Sequence, residues 1–236
     1  ERFYDALDLQ ITSDGNLMLI GFYSPLEEEM MPVGAVALKV NAKTGAIQES
    51  TKEFGNAYEM PSDITIKNNG LAAGKDQYLK YRFLLSDIHF NKNGGYTLIG
   101  ERNVTQTKRT QTSYYTVNHL DDLGVVDVSG AGAVTGVHRI EKSQQAESLQ
   151  IFNASYFYTE HGNKRYIAFA NLGKSSDVES ILVTLTPDGK QTREVMFTTD
   201  DADVKLRPKE CHLHKDKIVM YGNKNNRYCR WISKAL

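Results

Sequence analysis

Asp8-Leu9-Gln10-Ile11-Thr12-Ser13-Asp14-Gly15-Asn16-Leu17-Met18-Leu19-Ile20-Gly21 aligns without a gap on Asp87-Ile88-His89-Phe90-Asn91-Lys92-Asn93-Gly94-Gly95-Tyr96-Thr97-Leu98-Ile99-Gly100. Each stretch alternates apolar and polar residues, reaches Asp14-Gly15 or Asn93-Gly94, and leaves through a run of β-forming residues. Alternation at period two places one set of side chains on one face of a strand. Asp-Gly and Asn-Gly tolerate the positive φ that a hairpin turn requires. The two stretches therefore read as the same hairpin, made twice.

Working outward, each hairpin is followed by a second one. Gly34 to Val40 leads into Asn41-Ala42-Lys43-Thr44-Gly45 and out through Ala46 to Ser50; Tyr114 to Leu120 leads into Asp121-Asp122-Leu123-Gly124 and out through Val125 to Val128. The repeated unit thus has four strands, A to D. A third copy is expected to open near Ser148-Leu149-Gln150-Ile151, with its C-to-D turn at Thr186-Pro187-Asp188-Gly189-Lys190. A fourth starts at Glu210-Cys211-His212-Leu213 and ends on a C strand at Arg227 to Ile232, without a D strand. Tandem four-stranded antiparallel units bury their two faces against the preceding and following sheets, which is the logic of a β-propeller. The expected fold is all-β and propeller-like, an incomplete ring of three full blades plus three strands of a fourth, with a β-sandwich or an open barrel as the competing architecture.

The repeated string of a strand, Asp-Gly or Asn-Gly, then Leu-Ile-Gly resembles the propeller-type repeats of uncharacterised secreted or lipid-anchored Bacteroidetes proteins. The resemblance implies a propeller, and a secreted, periplasmic or cell-surface location, without an assigned activity. The Trp-Asp dipeptide of Trp-Asp repeats is absent, since the single Trp, Trp231, follows Arg230.

The units span about 7–55, 84–128, 148–197 and 207–236 of one domain, 1–236, with insertions at 56–83 and 129–147. The first insertion has room for one short strand at Ile64 to Ile66, and Glu141 to Glu147 is helix-compatible. Apolar residues recurring on strands A to C nominate Leu9, Ile11, Leu19, Ile88, Phe90, Leu98, Ile151, Val183, Leu185, Leu213 and Val219 for burial between sheets.

With 28 Lys and Arg against 29 Asp and Glu, the net charge of −1 offers no general attraction to nucleic acid. No apolar run approaches the roughly 18 to 20 residues that span a bilayer as a helix, so no membrane insertion is expected. Glu1 opens the sequence without an initiator Met or an apolar leader, as a processed product or a fragment would. Cys211 and Cys229 fall on strands A and C with strand B between them, about 9 to 10 Å apart and beyond disulfide reach.

Candidate site residues follow from the repeat. Asp8, Asp87, Ser148 and Glu210 open strand A, and two places on lie Gln10, His89, Gln150 and His212. In a ring these line one mouth of the axis, so Asp8, Gln10, Asp87, His89, Gln150, Glu210 and His212 are the ligand-binding candidates. Glu210, His212 and His214 alternate along one strand, a weak zinc-ligand pattern for which no further ligand can be named. No cofactor is implied. The long B-to-C loops 24–33, 102–112 and 172–179 form the expected working face, with Leu26, Met30, Met31, Arg102, Lys108 and Arg109 as partner contacts.

No Gly-x-Ser-x-Gly or His-Glu-x-x-His motif occurs. Three functions remain: a non-catalytic module binding an unknown protein or glycan; a carbohydrate-active hydrolase or lyase with an axial carboxylate and histidine site; and an assembly module that closes on a second protomer. The last would use the terminal blade edge, along Arg230, Trp231 and Ile232.

Overall fold

The structure is a computed structural model that describes residues 2–24, 32–54, 63–66, 77–80, 82–91, 94–109, 112–147, 154–172, 178–202, 204–224 and 228–236. It is all-β apart from one turn of α-helix, α1 (Thr199–Ala202), and a 3-10 turn at Pro208–Glu210. The first sheet runs β1 (Phe3–Ile11), β2 (Leu17–Ser24), β3 (Gly34–Val40) and β4 (Ile47–Glu53), each antiparallel to the next. A separate hairpin pairs β5 (Asp63–Ile66) with β6 (Gln77–Lys80), so the first insertion holds two short strands where one was expected. The second sheet has β7 (Arg82–Phe90), β8 (Tyr96–Arg109), β9 (Tyr114–Val128) and β10 (Val134–Ile140), with the short β11 (Gln145–Glu147) also paired to β9.

The third sheet is β12 (Phe157–His161), β13 (Lys164–Leu172), β14 (Val178–Leu185) and β15 (Gln191–Thr198). In the fourth, β16 (Lys205–Leu206) and β17 (His212–His214) lie on one side of β18 (Lys217–Lys224) and β19 (Tyr228–Ala235) on the other. Strand A of this blade is thus interrupted by the 3-10 turn, which Pro208 favours because it removes a backbone donor. The architecture is the expected tandem of propeller-like four-stranded blades, three complete and one of three strands.

Four of the tight turns share one hydrogen-bond pattern. Thr12, Asn91, Ser129 and Thr186 each donate from N–H to the carbonyl four residues on, at 2.8–3.0 Å, and accept the N–H of the residue three on, at 2.9–3.0 Å. That donor is Gly15, Gly94, Gly132 or Gly189, with φ from 76° to 88°, the left-handed residue of a three-residue hairpin loop.

Three boundaries differ from expectation. Asp121 to Gly124 does not turn: β9 runs straight through it, and the C-to-D turn is Ser129-Gly130-Ala131-Gly132. Asp122 is buried between Arg102 and Arg139, so tertiary pairing overrides the local turn preference of Asp-Asp-x-Gly. Consequently the expected insertion 129–147 contains strand D, and its supposedly helix-compatible end is β11. In the third blade the strand that pairs with β13 is Phe157–His161, through a turn at Gly162-Asn163; the Ser148 to Gln150 segment expected to open it lies outside the described residues.

The chain groups into two compact units, Glu1–Val104 with Asp122–Glu141, and Thr105–Asp121 with Lys142–Leu236. In the first unit, Met18, Ile20, Phe22, Ala35 and Ala37 of the first sheet pack on Tyr96, Leu98, Val126 and Val128 of the second. In the second unit, Tyr166, Ala168, Ala170 and Leu182 pack on Leu206, Cys211, Ile218 and Met220. Successive sheets are joined face to face in both cases, and fully burying a side chain of this size contributes about 1.5–3 kcal/mol. Of the expected core, Leu98, Val183 and Leu185 are buried and Leu19, Ile88, Leu213 and Val219 half-buried. Leu9, Ile11 and Phe90 are exposed, and Ile151 lies outside the described residues.

Candidate functional site

Strand alternation places His89, Thr97, Asp127 and His138 together on one face of the second sheet. His89 pairs with Thr97 across β7 and β8, while Leu98 and Val126, one step along, belong to the opposite, packed face. The Thr97 hydroxyl donates to Asn91 Oδ1 at 3.1 Å and lies 3.4 Å from Asp127 Oδ1. Asp127 Oδ2 in turn meets His138 Nε2 at 3.1 Å. The stripe crosses all four strands of the blade.

Gly136 makes room for it. An added Cβ at that position would stand 2.8 Å from Asp127 Oδ2 and 2.9 Å from His138 Nε2, at the register shift between Val134 and Gly136. Glycine lets the backbone approach the pair. The side chains of Asp127 and His138 keep 21% and 15% exposure, so a carboxylate orients an imidazole that solvent reaches. Such a pair can take up or release a proton. Sequence reasoning missed Asp127 and His138 because 129–147 was read as an insertion; the signal was the Ser-Gly-Ala-Gly turn, which makes flanking 125–128 and 134–140 a hairpin.

The expected axial residues fall on consistent faces of their own sheets. Asp8 pairs with Ile20 and Gln10 with Met18, on the packed side of the first sheet, and Gln10 donates to Asp8 Oδ2 at 2.6 Å. Asp87 and His89 are half-buried on the stripe face of the second sheet. Gln150 lies outside the described residues. Glu210 sits in the 3-10 turn rather than on the strand, where Arg207 Nη2 reaches it at 2.5 Å. His212 and His214 are exposed on β17. Among the described residues no three His, Cys, Asp or Glu side chains gather as a metal site, and Glu210, His212 and His214 are not brought together.

Of the expected loop contacts, Leu26, Met30 and Met31 lie outside the described residues. Arg102 is not on a loop: it is buried on β8, 3.9 Å from Asp122. Lys108 and Arg109 also belong to β8, because the strand continues to Arg109 where a loop was expected from residue 102.

A second feature was not foreseen. The side of the first sheet away from Met18 and Ile20 carries Ile11, Leu17, Val40 and Ile47 in register, one from each strand. The next row is Leu9, Leu19, Leu38 and Glu49. Leu9 is 55% exposed, Ile11 72% and Ile47 67%.

Among the described residues, no helix is long and apolar enough to cross a membrane. No protein-family model matches the chain, and no curated protein matches it. Among solved structures it is similar to the GH43 β-1,3-galactosidase BT3683 with galactodeoxynojirimycin, at TM-score 0.34 and 7% identity over 99% of this chain and 72% of that one. It is also similar to the GH43_1 enzyme from Xanthomonas citri complexed with xylotriose, at TM-score 0.25 and 7% identity, covering 99% and 87% respectively. Likeness at this level leaves function to be argued from the residues themselves.

Proposed function

We propose that the chain is an interaction module and that its working surface is the apolar outer face of the first sheet. The observation that supports this reading is the fully apolar row Ile11, Leu17, Val40, Ile47, whose two ends stand in solvent. A continuous apolar surface of this kind on a folded chain marks a docking site. The opposite face of the same sheet is already engaged: Ser50 Oγ accepts Val134 N–H at 3.0 Å, and Lys52 Nζ donates to the Thr135 carbonyl at 3.0 Å. Below micromolar protein concentration, an apolar-surface dye should bind the native wild type and bind Leu9→Lys/Ile47→Lys far less. Equal dye binding by the two would remove the reading.

A hydrolase or lyase reading draws its support from the solvent-reached Asp127–His138 pair rather than from Asp8, Asp87 or Glu210. It requires turnover of a glycan that Asp127→Asn abolishes while the fold persists.

A further inference from the structure

We infer that the side of the fourth sheet turned away from the third is a binding surface for a linear acidic polysaccharide, one that carries a carboxylate on successive sugars. This surface belongs to a different blade from the apolar face proposed above and stands independently of it.

Charge is divided unevenly along the chain. Residues 205–236 hold nine Lys and Arg against two Asp and Glu, a net charge of +7 in a chain whose total is −1, so the other residues carry −8. A local excess of one sign attracts an oppositely charged partner even where the whole chain is near neutral.

Alternation decides which of these cations share a face. Leu206, Ile218 and Met220 pack on the third sheet, and Lys234, which pairs with Ile218, reaches Glu194 of β15 at 2.5 Å on that side. The alternate positions form the other side. There Lys205 stands beside Asn223, and Arg207, whose N–H donates to the Tyr221 carbonyl at 2.8 Å, beside Tyr221. The next rows are His212, Val219 and Ser233, then His214, Lys217 and Ala235. Lys205, His212, His214, Lys217 and Ser233 are exposed. Three of these four rows hold Lys or Arg, and the fourth offers His212 and Ser233 as hydrogen-bonding groups.

The layout selects the ligand. Rows about 6.8 Å apart make a track about 20 Å long, too extended for one small anion, and its width of three strands suits a single polymer chain. About one cation per row matches one carboxylate per sugar, whereas a heavily sulfated chain would call for several. Arg207 is set in place for such a group, its guanidinium 5.3 Å from the centre of the Tyr221 ring and its Nη2 2.5 Å from Glu210 Oε1. A guanidinium fixed in its plane suits carboxylate recognition. Trp231 takes the register position opposite Tyr221, and an aromatic residue in that row suits a sugar ring. Single-stranded nucleic acid would call for a run of open rings that stack successive bases. The half-buried Tyr221 ring instead lies under Arg207.

Fluorescence anisotropy of a labelled oligogalacturonate, titrated with the whole chain at about 20 mM salt, tests this. The wild type should bind it, and should bind the methyl ester of the same oligomer, which has no carboxylates, at least about tenfold more weakly. Lys205→Glu/Lys217→Glu should lose affinity by about tenfold or more with an unchanged urea midpoint. Lys205→Gln/Lys217→Gln, which removes the charge without reversing it, keeps the test decisive if the Glu pair disturbs the fold. Lys43→Glu/Lys164→Glu reverses as much charge at exposed positions of the first and third sheets and should bind within about twofold of the wild type. No binding by the wild type, equal binding of the ester, or equal losses in the Lys205/Lys217 and Lys43/Lys164 variants overturns the proposal. So does a dT oligomer of equal charge that binds as tightly as the oligogalacturonate or more so, since that would make the ligand a nucleic acid.

Discussion

Arg139 grips Asp122 with two nitrogens, Nη2 at 2.8 Å and Nε at 3.2 Å from the same carboxylate oxygen. Arg102 Nη1 stands 3.9 Å from that oxygen. The three side chains lie on three adjacent strands, and the Asp122 and Arg102 side chains are 9% and 7% exposed. Asp122→Ala should therefore lower unfolding stability by about 3 kcal/mol, because removing one member of a buried ionic cluster leaves the others' charge poorly compensated. Asp122→Asn should lose less, since its amide oxygen still accepts. Urea unfolding of both variants checks the order.

Gly136 is predicted to resist substitution for a different reason. In Gly136→Ala the new methyl meets Asp127 Oδ2 and His138 Nε2 at contact distances of 2.8 and 2.9 Å. Either the pair parts or the β10 backbone shifts, at about 1–3 kcal/mol. Urea unfolding of Gly136→Ala beside the wild type measures that loss. Unchanged stability would mean that the pair is not seated as described.

These two clusters show where the sequence was legible. The blades were readable because turn glycines and period-two alternation are local signals, and Asp14-Gly15, Gly94 and Asp188-Gly189 all turn. Asp122 was misread because its partner Arg139 lies 17 residues on, and no local pattern announces a buried ion cluster. Leu9 and Ile11 were assigned to the core because alternation says which residues share a face, not whether another sheet lies over it. Gln144 left no trace in the pattern at all, being one polar residue in a polar run.

Acid should expose the contribution of the turn carboxylates. The Thr12 hydroxyl, with Lys39 and Asn16, holds the Asp14 carboxyl well below its ordinary value of 3.8, and Thr186 with Lys190 lowers Asp188. A depressed folded-state pKa means that the ionised form is favoured in the fold. The associated stability is present above the unfolded value and lost as pH falls through the folded one. Relative to Asp14→Asn/Asp188→Asn, the wild type should lose more stability between about pH 4 and pH 2, and the two curves should run parallel above about pH 5.

The Cys211 thiol should be inert in the native state. Burial pushes it up from 9.0 to about 11, so little thiolate exists at neutral pH to attack a disulfide reagent. With its folded pKa above the unfolded one, its contribution to stability is intact below about pH 9 and fades as pH rises toward the folded value. Cys211→Ala should flatten that alkaline loss and cost about 1 kcal/mol at neutral pH from lost packing. Rapid labelling of Cys211 at neutral pH would show that the Leu206–Ile218 side of this core opens readily.

Gln144 clamps a strained residue. Its Oε1 accepts Ser155 N–H at 2.7 Å and Lys142 Nζ at 2.8 Å, while its Nε2 donates to the carbonyls of Ser155 at 3.1 Å and Ala170 at 2.5 Å. Ser155 is held at φ 73°, a left-handed conformation that costs a non-glycine residue about 1 kcal/mol or more. The amide, 2% exposed, fastens both backbone groups of that residue and so holds the conformation in place. Gln144→Leu should lose about 3 kcal/mol, since it leaves buried backbone donors and acceptors without this partner. Ser155→Gly should gain about 1 kcal/mol, because glycine adopts positive φ without a steric penalty. The double variant should lose less than the sum, as a glycine at 155 no longer needs the clamp to stay left-handed. Strict additivity in a denaturation double-mutant cycle would show that the Gln144 side chain supports β11 and β13 without acting through Ser155.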